Sequence, residues 1–134
     1  MIGSAHRFHG YNSLRPVYQH GHTARGPLLI VRYRRNDRPG GYRAAVVVSR
    51  KVHKSAVARN RIRRRIYAAL QRHEANFTAP HDLILTVLSE ELATMPAAEL
   101  ETVLQRQLEK AGIIQHGKTT SAHGIVEKVQ KESD

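Results

Sequence analysis

The residues best suited to do chemistry lie between Arg50 and Arg65. Eight of these sixteen residues are Arg or Lys, and none is Asp or Glu. Arginine carries a planar fork of donors that matches phosphate oxygens and stacks on bases, which lysine does less well. Ala56 to His73 reads as one helix with Ser55 as its cap. Ile62, Ile66 and Leu70 recur at i, i+4 and i+8 and form its inward stripe, widened by Ala69. On a wheel of about 100° per residue, Arg59 and Arg63 take one shoulder of that stripe. Asn60, Arg64 and Tyr67 lie beside them, and Arg61 and Arg65 take the other flank. Like charges at i, i+4 repel, so this helix opposes its own formation. Phosphates would neutralise it, and the counterions they release would make binding strongly salt-dependent.

The charge of the whole chain follows the same division. Its 134 residues carry 22 Lys and Arg against 11 Asp and Glu, a formal charge of +11. Residues 1–72 hold 17 of the basic residues and a single acid, Asp37; residues 73–134 hold 5 basic and 10 acidic residues. Solubility does not require such segregation, so a polyanion partner is expected. There is no cysteine, which excludes disulfides, thiolate chemistry and cysteine-ligated metal. No apolar run approaches the roughly 20 residues of a membrane span, and no signal region opens the chain, so a cytoplasmic protein is expected. His6/His9 and His20/His22 are closely spaced, but in polar segments they are expected to hold no metal. The adjacent Glu90 and Glu91 make no carboxylate cluster for a two-metal nuclease.

The elements that must position the basic helix are short. Residues 1–10 read as a flexible arm. Tyr11 to His20 reads as a helix, capped by Asn12 or Ser13, with Pro16 in its first turn and Gly21 past its end. Leu28 to Arg35 and Tyr42 to Ser49 read as strands, joined by the turn cluster 36–41 into an antiparallel hairpin. His81 to Leu88 reads as a third strand. Pro96 to Ala111 reads as a helix lined by Leu100, Val103, Leu104 and Leu108, ended by Gly112. Residues 115–134 carry no core pattern and read as a disordered tail. One domain over residues 11–114 is expected, an α+β fold with helices on a sheet.

The run Ala56-Val57-Ala58-Arg59-Asn60-Arg61-Ile62-Arg63-Arg64-Arg65-Ile66, after Ser49-Arg50-Lys51, resembles the signature of the protein subunit of bacterial ribonuclease P. Tyr18-Gln19-His20-Gly21 resembles the end of that family's first helix. Arg25-Gly26-Pro27-Leu28-Leu29 resembles its first strand, and His81-Asp82-Leu83-Ile84-Leu85 a later one. The resemblance spans roughly residues 7–113. It implies an αβββαβα sandwich with a left-handed crossover through the basic helix, and a fourth short strand near Lys51 to His53. It also implies an endoribonuclease subunit without catalytic residues of its own. The RNA partner would hold Mg2+ and remove the 5′ leader of precursor tRNA, to form the mature tRNA 5′ end.

The resemblance carries roles to particular residues. Arg59, Asn60, Arg61, Arg63, Arg64 and Arg65 would bind the catalytic RNA. Leu14, Tyr18, Ile30, Arg32, Ser49, Arg50 and Lys51 would bind the precursor tRNA leader in a cleft between the first helix and the sheet. Leu14 replaces an aromatic residue there, and Tyr67 stands where a basic residue is commoner. The implied partners are ribonuclease P RNA and precursor tRNA, with no membrane and no DNA, and the protein is expected to be a monomer apart from RNA. A ribosomal or assembly RNA-binding protein is the alternative. A stand-alone nuclease lacks its acidic metal site, and a DNA-binding reading lacks a helix-turn-helix pair before the arginines.

Overall fold

The computed structural model describes residues 6–7, 11–38 and 41–115. Along these residues run α1 (Tyr11–His20), β1 (His22–Arg25), β2 (Leu29–Arg35), β3 (Arg43–Val47), α2 (Ala56–His73), β4 (His81–Val87) and α3 (Ala97–Ala111). Short 3-10 turns follow α2 at Glu74–Asn76 and β4 at Glu90–Ala93. The element order is the αβββαβα order expected. The four strands form one mixed sheet in the order β1-β2-β4-β3. β1 with β2 and β2 with β4 are antiparallel, whereas β3 and β4 are parallel and joined through α2.

This topology corrects the expected hairpin, because β2 and β3 do not pair. β4 lies between them, and the reason is its composition. Leu83, Ile84 and Leu85 are consecutive and all fully buried. A strand apolar on both faces needs a neighbour on each side and a layer above and below. Val46, Val47 and Val48 in a row would suit a central strand, yet β3 lies at the edge of the sheet. The fourth strand also falls elsewhere than expected: residues 50–52 form a turn, and the short strand is His22–Arg25. Gly26-Pro27 then reverses the chain, so the segment read as a first strand is a turn. β1 is four polar-looking residues with only Ala24 buried, which gives no alternation to detect.

Leu29 and Val31 of β2, Ala44 and Val46 of β3, and Leu83, Leu85 and Val87 of β4 face α2 and α3 and form the main core. Ile62, Ile66, Ala69 and Leu70 of α2 complete it, with Leu100, Leu104 and Leu108 of α3. On the opposite face α1 packs Val17 on Ala45 and Ile84. Ser55 caps α2 by accepting the Ala58 N–H at 3.2 Å. Gly112 ends α3 with φ of 78°. α1 starts at Tyr11, so Asn12 and Ser13 lie inside it rather than capping it, and Pro16 falls in its second turn. Gly21 lets α1 run straight into β1, since a Cβ there would sit 2.4 Å from the Val17 carbonyl oxygen and 2.7 Å from that of Tyr33.

Side chains contact both outer strands. On β1, Gln107 Nε2 donates to the Ala24 carbonyl at 3.0 Å and Lys110 Nζ to the Arg25 carbonyl at 2.7 Å. On β3, Arg7 bridges to Ala44, and the His6 ring stacks on Tyr42 at 4.2 Å. The Tyr67 hydroxyl accepts the Val46 N–H at 3.1 Å. Tyr67 therefore belongs to the core rather than to the polar side of α2. The Tyr67→Phe variant leaves a buried N–H without its partner. Its unfolding free energy should fall by about 1–3 kcal/mol in urea titration, the usual penalty for an orphaned buried donor.

Candidate nucleic-acid interface

The sheet register builds a surface on the side that carries α1. Arg32 on β2 faces Ile84 on β4, and Ile84 faces Ala45 on β3. The next row runs Ile30, Thr86, Val47. Val17 of α1 packs on Ile84 and Ala45, Val47 of the second row packs against the same cluster, and Thr86 on β4 is half-buried. Ile30, Thr86 and Val47 form the sheet floor beside α1, where the leader cleft is expected.

Arg32 leans along this floor from the first row toward the second. Its Nη1 donates to Thr86 Oγ1 at 3.3 Å, and its Cζ lies 5.3 Å from the centre of the Tyr18 ring. Tyr18 nonetheless keeps 48% of its surface exposed. Arg32 makes no ion pair with an acid among the described residues. Arg43, one row further from the cleft, has the opposite fate. Its Nε and Nη2 reach both oxygens of Asp82 at 2.9 and 2.8 Å, and Asn36 Nδ2 donates to the same carboxylate at 2.9 Å. The hydrogen bonds to Asp82 push the Arg43 pKa upward. Asp82 thus pins the end of the sheet and neutralises one arginine there.

The expected cleft residues do converge in part. Tyr18, Arg32 and Ile30 share the face, with Ile30 buried in the floor and Leu14 half-buried against the small apolar cluster. Leu14 thus acts as packing under the wall. Ser49, Arg50 and Lys51 follow β3 and are exposed at the end of the sheet where β4 also ends. The Val52 N–H donates to the Ser49 carbonyl at 3.0 Å, so these residues sit on a tight turn leading into α2.

The α2 arginines divide by what they touch. Arg61 and Arg64 are exposed and make no ion pair among the described residues. Arg63 reaches the side-chain oxygen of Asn60. Arg59 Nη1 donates to the carbonyls of His53 and Lys54, both at 2.9 Å, and so clasps the turn ahead of its own helix. Arg65 is turned away from solvent: Nη1 donates to the Leu92 carbonyl at 2.9 Å and Nη2 to that of Met95. Its fork ties α2 to the 3-10 turn before α3. Position on a wheel assigned Arg65 to the flank but could not show that a backbone segment would cover it. Thr86 and the Asp82–Arg43 pair were also beyond sequence reasoning. A single threonine between Leu85 and Val87 was the available signal.

Among the described residues, no group of three His, Asp or Glu side chains is placed to hold a metal ion. No helix among them is long and apolar enough to cross a membrane.

A family model described as Ribonuclease P matches residues 3–112. The chain belongs to the ribonuclease P protein family. The ribonuclease P protein component of Synechococcus elongatus is 32% identical over 108 residues, covering 78% of this chain and 83% of that protein. That of Chloroflexus aurantiacus is 35% identical over 106 residues, covering 77% of each. Solved structures agree in fold. The Staphylococcus aureus RNase P protein superposes with a TM-score of 0.72 at 23% identity, over 81% of this chain and 97% of that one. The Thermotoga maritima RNase P protein gives 0.69 at 20% identity, over 78% and 96%. The ribonuclease P family match thus spans every element from α1 to α3.

The two groups of arginines should separate in a stability measurement. Arg65→Ala should cost about 1–3 kcal/mol, because two backbone carbonyls lose a charged donor. Arg61→Ala with Arg64→Ala should stay within about 0.5 kcal/mol of the parent, as exposed changes do. Urea unfolding of the purified variants checks both.

Proposed function

We propose that this ribonuclease P subunit binds the catalytic RNA through the exposed side of α2 and the 5′ leader of precursor tRNA through the cleft under α1. The RNA holds the magnesium ions and activates the water; the protein supplies no catalytic residue. Magnesium keeps its waters and favours oxygen ligands, which RNA phosphates offer in plenty. The protein works in the cytoplasm as a monomer apart from its RNA.

The observation that carries this reading is Arg32, which has no acid partner among the described residues and lies beneath a half-exposed tyrosine. A guanidinium beside an aromatic ring suits an unpaired strand: the ring takes a base and the arginine takes a phosphate. Mature tRNA has no leader to place there. Arg61 and Arg64 form the second contact, open to phosphates of a folded RNA, with Arg63 and Asn60 alongside. Arg50 and Lys51, on the turn between cleft and helix, join the two fields. Arg59 contributes by fixing that turn with one nitrogen, leaving its other donors for RNA. Arg65 is assigned to the fold.

Reconstitution tests the reading. The protein is mixed with a bacterial ribonuclease P RNA and precursor tRNA at low magnesium, and leader release is followed. Cleavage is expected with both components and not with protein alone. Tight RNA binding without stimulated cleavage would instead favour a ribosomal or assembly role.

Two quantitative outcomes follow from the geometry. Arg61→Ala with Arg64→Ala should weaken binding to the catalytic RNA and flatten the slope of log K against log salt by about 1.5–2, the value for two lost phosphate contacts. Filter binding from low to moderate salt measures it. Tyr18→Ala should lower affinity for leader-bearing substrate by about 1–3 kcal/mol, the range of one base stack, and leave mature tRNA binding unchanged. Competition binding to the holoenzyme with the two tRNAs reads the difference.

A further inference from the structure

Thr86 is a half-buried polar residue flanked in its row by two apolar ones. It sits on β4, the central strand, between Ile30 and Val47 in one row. Ile84, two residues earlier on the same face, is fully buried. Valine has the same shape and would suit the row better as a strand former. What threonine adds is one hydroxyl, and that hydroxyl accepts the Arg32 Nη1 at 3.3 Å.

The choice of a hydroxyl matters because the same face holds a second way to fix an arginine. Arg43 is fixed by Asp82, a bidentate acid that cancels its charge. Arg32 is fixed by a neutral acceptor and keeps its full charge. An arginine has five N–H donors, and Thr86 engages one of its nitrogens. The others remain for an anion in the cleft, while Tyr18 lies 5.3 Å from Cζ. The guanidinium is thus held between α1 and β4 before any ligand arrives. Fixing a long side chain in advance removes an ordering cost from binding.

We infer that Thr86 is a positioning residue: its hydroxyl holds Arg32 under Tyr18 in the orientation that meets a phosphodiester of an unpaired RNA strand. This rests on the proposal that the cleft takes the precursor tRNA leader. Thr86 itself need not touch the RNA; it acts through Arg32.

The test uses holoenzyme reconstituted from a bacterial ribonuclease P RNA and the full chain, with three variants. Thr86→Val keeps shape and removes the acceptor. KM for leader-bearing precursor tRNA should rise about 3- to 10-fold, the worth of one net hydrogen bond, with kcat unchanged. Mature tRNA binding and the melting temperature of the free protein should not move. Thr86→Ser restores the acceptor and should recover most of the affinity. Thr86→Asp keeps an acceptor but cancels the charge of Arg32, so it should bind leader-bearing substrate more weakly than Thr86→Val. Thr86→Val behaving as the parent overturns the proposal. So does a loss shared equally by mature tRNA, a marked drop in melting temperature, failure of Thr86→Ser to rescue, or parental affinity in Thr86→Asp. A parent holoenzyme that binds the two tRNAs equally removes the leader reading itself, and the role of Thr86 with it.

Discussion

The burial of β4 on both faces is the constraint on which the rest of this protein depends. Leu83, Ile84 and Leu85 occupy successive positions with no exposed surface. Such a strand cannot sit at an edge, and neither of its faces can meet water. It therefore recruits β2 on one side and β3 on the other, α2 and α3 on one face and α1 on the second. The two coverings are unequal. α2 and α3 bury a broad core, whereas α1 is ten residues long and packs Val17 on Ile84 and Ala45. Beyond that contact the same face carries Thr86, half-buried between Ile30 and Val47.

Electrostatics then decides what that surface can hold. The first 72 residues contain one acid, Asp37, against 17 basic residues, so their own half offers the arginines few carboxylates. The later half supplies the acids that matter structurally. Asp82 takes Arg43, and Glu101 takes Arg72. Backbone carbonyls take Arg59 and Arg65 without neutralising them. Among the described residues, Arg61 and Arg64 on α2 and Arg32 beside Tyr18 make no ion pair with an acid. The unfavourable field they create is retained in the folded protein, and a polyanion relieves it on binding.

The helices were legible because their signals are local. The stripe of α2 and its Ser55 cap, and the stripe of α3 with Gly112 after it, need only the sequence within one turn. The strand pairing was not legible. Leu28 to Arg35 and Tyr42 to Ser49 are adjacent in sequence with a turn cluster between them, which is the usual sign of a hairpin. The deciding fact, that β4 needs two neighbours, lies some forty residues further on. The short β1 escaped because it has one buried residue. At the site, Tyr18 and Arg32 could be named from motif and alternation. Thr86 could not, because its partnership with Arg32 exists only after β2 and β4 are set side by side. Arg65 shows the converse: its type matched the motif, but the 3-10 turn that covers it comes from a different part of the chain.

The contacts on the outer strands of the sheet bear on how this protein survives before it meets RNA. A freshly made copy carries a four-stranded sheet whose outer strands would ordinarily offer free backbone groups to any passing chain. Here the outward Arg25 carbonyl of β1 is occupied by Lys110, and one amide of β3 by Tyr67. Growth of the sheet from one molecule to the next is obstructed at both ends. Mutual repulsion between strongly basic surfaces keeps copies apart, but salt screens it beyond about 10 Å. The side chains on the outer strands act only at contact, by occupying the backbone groups themselves. Colloidal stability is therefore secured by two mechanisms with different reach, and only the outer one disappears when the charge is spent on RNA.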